Sequence, residues 1–142
     1  MKQTWLVPLD GSEIALHPIA WILHNIDTLK QSPRVHLLNV QPNLPRDIGR
    51  FISQDTIKEF HRDSGLAALA AAKEQLSSAG IMPELHVLVG EAASTISDFA
   101  DQHGCTQILI GTHGHSGLTG TLLGSVAMKV AHLARVPVLL IR

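Results

Sequence analysis

Short apolar runs alternate with longer stretches in which apolar residues return every three or four positions, from one end of the chain to the other. Thr4–Leu9 is apolar and stops at Asp10-Gly11-Ser12. Ala15, Leu16, Ile19, Ala20, Leu23 and Ile26 then mark one face of a helix. Pro18 falls inside that face and predicts a kink or a delayed start, because its ring removes a helical N–H. Arg34–Val40 is the second strand, and residues 41–53, with Pro42, Pro45 and Gly49, read as a loop. A long helix follows from about Ser53 to Ala79, with Gly65 as a candidate break and Gly80 as its C-terminal cap. Its alanine-rich run, Ala67–Ala72, predicts close packing on a sheet. Glu84–Val89 is the third strand, Glu91–His103 a short helix ended by Gly104, and Gln107–Ile110 the fourth strand. Ser125–Ala134 is the last helix and Val136–Ile141 the fifth strand.

Strands alternating with helices imply parallel βαβ units with right-handed crossovers, hence an α/β three-layer sandwich. The pattern runs through residues 1–142 without a linker or repeat and reads as one domain. Near-continuous apolar strands such as Ile108-Leu109-Ile110 suit a parallel sheet covered on both faces. Pro137 cannot donate to a ladder, which makes strand five an edge. An apolar edge invites pairing with a second chain, and a homodimer joined through Val136–Ile141 is the expectation.

Composition narrows the function. Apolar residues make up 45% and charged residues 16%, with a net charge of −1 and no basic run. Nothing draws the chain to nucleic acid or an anionic membrane, and no window approaches the ~18 apolar residues of a membrane span. One cysteine, Cys105, excludes an internal disulfide and reads as an inert buried thiol of a reducing, cytoplasmic compartment. Seven of the nine histidines lie scattered along the chain. His86, alternating with Leu85 and Val87, and His132, beside Lys129 and Arg135, read as solvated surface.

The chemistry concentrates after strand four. Gly111-Thr112-His113-Gly114 leaves the strand, and Gly124-Ser125 opens the last helix. Glycines let a backbone approach a ligand and take positive φ, while free N–H groups at a helix start favour an anion. The segment reads as a phosphate cradle. In an open α/β sheet, ligands bind beyond the carboxyl ends of the strands. If strands one and four are neighbours, Leu9-Asp10-Gly11-Ser12 faces the cradle. Asp10 could then accept from a ribose hydroxyl or an adenine edge, and Val40 could wall a flat base. Asp10 and Ser12 can equally cap the first helix. His113 and His115 as metal ligands lack an evident third partner. Thr112-His113-Gly114-His115 matches a nucleotidylyltransferase pattern, but after the wrong strand. A Walker A lysine, a dinucleotide glycine fingerprint and a G-x-S-x-G serine are all absent.

Gly111, Gly114, Gly124 and Ser125 keep a spacing of Gly, two residues, Gly, nine residues, Gly, Ser. With Val7-Pro8-Leu9-Asp10-Gly11-Ser12, Val89-Gly90-Glu91 and the terminal Val136–Arg142, the whole chain resembles the ATP-binding branch of the universal stress protein family. That resemblance implies a Rossmann-like nucleotide-binding fold, with a five-stranded parallel sheet of order 3-2-1-4-5. It also implies bound ATP and a homodimer through strand five. Pro8, Leu9, Asp10 and Val40 would hold adenosine. Gly111, Thr112, His113, Gly114, Gly124, Ser125 and the Val126 amide would hold the triphosphate. Unlike many members, this chain has no arginine or lysine between Gly111 and Gly124. A triphosphate here relies on amides, the helix dipole and Mg2+, with His113 as a titrating partner whose pull strengthens toward pH ~6. Three roles stay open: a nucleotide-dependent stress-response switch with an unidentified protein partner, a slow ATPase or nucleotidyl transferase, and a nucleotide-free interaction module.

Overall fold

The computed structural model of the chain describes residues 2–112 and 123–142. Five strands, β1 (Thr4–Pro8), β2 (Arg34–Gln41), β3 (Glu84–Val89), β4 (Gln107–Gly111) and β5 (Val138–Ile141), form one sheet. Its order is β3-β2-β1-β4-β5 and every pairing is parallel. Helices α1 (His17–Asn25) and α3 (Gln54–Ser78) cover one face, around Ile19, Ile22, Leu69 and Leu76. On the other face, α4 (Ala92–Gln102) and α5 (Ser125–Leu133) pack through Ile96, Phe99 and Val130. A single-turn helix, α2 (Arg46–Gly49), lies within the span expected to be loop.

Local chemistry explains the boundaries. Pro18 stands in the first turn of α1, where its missing N–H costs nothing. A 3-10 turn, Ile14–Leu16, precedes it, so proline delays the helix rather than kinking it. Ser53 caps α3, its Oγ accepting from the Thr56 amide at 3.2 Å. At the far end the Ile81 and Gly80 amides donate back to Leu76 and Ser77 at 2.9 and 3.0 Å. Closing that motif needs the left-handed φ of 82° at Gly80.

Two expectations need correction. Gly65 does not break α3, which runs straight through it; it lets the helix approach β3. A Cβ there would lie 2.3 Å from Val87 Cγ1 and 2.5 Å from Cγ2. A mid-helix glycine costs about 1 kcal/mol, and burying Leu69 and Leu76 returns about 1.5–3 kcal/mol each, so packing wins. The alanine-rich run does pack on the sheet, through Leu69 and Ala72, while Ala67, Ala70 and Ala71 face outward, since a helix buries one stripe of each turn. Strand five starts at Val138 rather than Val136. Pro137 stays outside the ladder as a donor, but its carbonyl accepts from the Ile108 amide at 2.9 Å.

Glu91 caps α4, accepting from the amides of Ala93 (3.2 Å) and Ser94 (2.8 Å) and from the Ser94 hydroxyl (2.7 Å). The Ser94 amide and hydroxyl bonds hold the Glu91 carboxyl below its ordinary value of 4.5. A lowered folded-state value means this cap stabilises above pH 4.5 and fades as pH falls through the depressed range. Glu91→Ala is therefore expected to lower stability by about 1 kcal/mol at pH 7. Thermal melts of the two proteins should converge in acid; a constant gap down to pH 3 would contradict the cap.

Candidate functional site

The crevice lies where connections leave the sheet in opposite directions, between the carboxyl ends of β1 and β4. A cavity of about 320 Å3 opens there. Pro8, Leu9 and Asp10 line it from the end of β1, Val40 from β2, Gly111 and Thr112 from β4, and Gly124, Ser125 and Val126 from the start of α5. Nine residues from four separate segments thus share one space. His113 and Gly114 lie outside the described residues.

Each wall has a local cause. Past β1 the chain turns on Asp10, whose Oδ1 accepts from the Ser12 amide at 2.9 Å and its hydroxyl at 2.6 Å. The Ser12 hydroxyl oxygen in turn accepts from the Ala15 amide at 3.2 Å. Ser12 thus braces the 3-10 turn ahead of α1, whose own N-cap, Leu16, makes no side-chain bond, so Asp10 and Ser12 do not cap the first helix as expected. Thr112 is buried; its amide donates to Ile141 at 3.0 Å, and its carbonyl accepts from the Gly124 amide at 2.6 Å. The two ends of the intervening segment are tied together. Gly124 is the N-cap of α5 at φ −62° and ψ 154°, with no side-chain cap bond. Any residue can adopt that conformation, so positive φ is not what glycine supplies here. The amides opening α5 carry the positive end of the helix dipole toward the cavity.

The universal stress protein family model matches residues 1–142. The chain belongs to that family. It is 30% identical to the universal stress protein MJ0531 of Methanocaldococcus jannaschii, over 96% of this chain and 80% of that protein. The structure of the protein MJ0577 superposes with a TM-score of 0.82 at 25% identity, covering 99% of this chain and 96% of the other. A universal stress protein from Archaeoglobus fulgidus, solved in complex with dAMP, superposes at 0.66 with 23% identity, over 100% and 98%.

This universal stress protein also contains site residues that its sequence pattern conceals. Leu38, Ala92, Ile96, Ile110 and Ala127 supply much of the cavity's apolar wall. They carry ordinary core patterning, and only Leu38, two before Val40 on β2, could have been inferred from strand alternation. Asn39 is buried, and its Nδ2 donates to the Leu9 carbonyl at 2.8 Å, fixing the end of β1. Gln41 Nε2 braces Asn39 Oδ1 at 2.6 Å. Cys105 is buried away from the cavity, and burial pushes its thiol up to about 11, which keeps it unreactive.

His86 departs from the surface role expected of it. It is half-buried under α4, with its Nε2 2.9 Å from Nδ1 of the buried His36. His103 and Phe99 stack above them at 3.7 Å between ring centroids. Burial lowers the proton affinity of both His36 and His86. Arg34, donating to Glu84 at 2.6 and 2.9 Å, holds that carboxyl below its ordinary value. His132, by contrast, is exposed as expected.

Proposed function

We propose that this universal stress protein binds ATP with Mg2+ in the β1–β4 crevice. In this reading it acts as a homodimer joined through β5, and nucleotide occupancy biases its conformation or its choice of protein partner. The observation that carries the reading is the order of the walls. β2, β1 and β4 are successive strands about 4.8 Å apart, so Val40, Asp10 and the Gly111–Thr112 turn succeed one another across the cavity. Base, ribose and phosphate succeed one another in the same way along an adenine nucleotide. Val40 and Leu38 offer an apolar wall for the base, Asp10 an acceptor for the ribose, and the α5 amides donors for phosphate. The dAMP complex of the Archaeoglobus fulgidus relative supports an adenine nucleotide.

The missing loop cation favours ATP carried with Mg2+, whose shell the phosphate oxygens and water would fill. His113 and Gly114 belong to the same proposal as phosphate partners. β5 is an outer strand of the sheet, with Leu140 exposed on it, which supports pairing with a second copy. Among the described residues no arrangement favours turnover over binding, and the switch is the preferred reading.

Native mass determination of the purified protein, followed by acid release and chromatography of bound nucleotide, tests the proposal. A dimer carrying ATP is the expected result. A monomer would remove the β5 interface, and a protein that neither retains nucleotide nor binds added Mg-ATP would remove the site.

A further inference from the structure

We propose that His36, Glu84 and His86 form a binding site for a zinc-like divalent metal ion at the β2–β3 edge of the sheet, separate from the nucleotide crevice. Parallel register pairs His36 with Glu84 and Leu38 with His86, so the three side chains share one face with His36 between the other two. Their ligand atoms, one from each residue, all lie within 4.8 Å of one another. His36 Nδ1 is 2.9 Å from His86 Nε2 and 3.3 Å from Glu84 Oε2. A tetrahedral ion with bonds of 2.0–2.1 Å separates its ligand atoms by ~3.3 Å. The two separations from His36 match that value to within ~0.4 Å, and Glu84 and His86, within 4.8 Å of each other, close around an ion by a turn of the Glu84 side chain.

His36 Nδ1, as an N–H shared between His86 Nε2 and Glu84 Oε2, already draws the three groups to one point. It is 3% exposed, where an unmade polar contact is costly. One cation would satisfy all three groups together. Arg34 holds Glu84 through Oε1 alone, which leaves Oε2 aimed at His36.

The surroundings fix the ligands. Phe99 lies edge-on to His36 and His86 at 5.6 and 4.6 Å between ring centroids. His103 completes the roof, its Nδ1–H donating to the Phe99 carbonyl at 3.0 Å. Packing of this kind locks rotamers and pre-orients a site. Two imidazoles and one carboxylate suit zinc or a similar ion and disfavour magnesium and calcium. Three protein ligands leave a fourth position for water. Glu84 is half-exposed on the outer strand β3, which gives an ion a route in.

The test uses the full chain purified without a polyhistidine tag and stripped with chelator. Calorimetric titration with zinc chloride is expected to give one ion per chain, and cobalt(II) is expected to give the intense visible bands of four-coordination. Glu84→Gln, a surface change that spares the core, and His86→Gln are each expected to weaken zinc at least tenfold. Circular dichroism of both variants would establish that the fold persists. Failure to bind zinc, an octahedral cobalt spectrum, or full affinity in both variants would overturn the site. Because Mg-ATP affinity is measured on the same samples, loss of zinc with nucleotide binding intact separates this site from the crevice.

Discussion

Ser125→Asp is expected to abolish measurable nucleotide binding while leaving the fold as stable as before, or slightly more so. Ser125 is the first residue of α5 and is exposed at the cavity wall. A carboxylate in a first helical turn interacts favourably with the dipole, by about 0.3–1 kcal/mol, and an exposed position leaves room for it. The same charge occupies the place assigned to phosphate. Like charges forced together cost several kcal/mol, and each 1.4 kcal/mol is tenfold in affinity, so a loss of ~100-fold or more is expected. Ser125→Ala removes one hydroxyl and should cost only ~3–10-fold. Calorimetry with Mg-ATP and thermal melts on the same samples read both quantities. Equal affinity in wild type and Ser125→Asp would move the phosphate away from α5.

Gly65→Ala is expected to destabilise the protein although it replaces glycine by the best helix former. Propensity alone predicts a gain of about 1 kcal/mol. The added Cβ, however, would meet both methyls of Val87, at 2.3 and 2.5 Å. Valine is branched at Cβ and cannot swing away, so α3 or β3 must shift. Overpacking of this kind costs about 1–3 kcal/mol, which leaves a net loss of up to ~2 kcal/mol and a visible fall in melting temperature. Val87→Ala in the Gly65→Ala background should recover most of that loss, because it removes the two colliding methyls. If the double variant is no better than the sum of the single changes, the contact is not the cause.

These two residues show what the chain discloses by pattern and what it withholds. Apolar runs ending in Asp10, Val40 and Gly111 mark where strands stop, and in a parallel sheet the carboxyl ends gather on one side. Most of the crevice was therefore legible, as were the capping of α3 by Gly80 and the edge position of β5. Gly65 was not, because its reason is a methyl group on a strand that follows later in the chain. A local reading sees only a poor helix former.

The histidine group was hidden for a related cause. His36 and His86 stand fifty residues apart in sequence, and neither spacing resembles a metal motif. Their meeting depends on which strands pair and in what register, and that is settled by the whole sheet. His86 alternates with apolar neighbours as a solvent-facing residue would. The direction of its face is reversed by α4, which covers that side of β3's edge with Phe99 and His103. Proline gave the opposite error at strand five, where the expected start at Val136 ignored that a ladder begins only after Pro137.

The bond from the Gly124 amide to the Thr112 carbonyl sets what a change of loop length would cost. Thr112 and Gly124, the residues that frame the segment, meet at one point and close it into a loop whose ends the sheet holds. Closure entropy rises so slowly that doubling the length of a connection costs about 0.6 kcal/mol. A change in the number of residues between Thr112 and Gly124 would therefore cost the scaffold that carries them almost nothing.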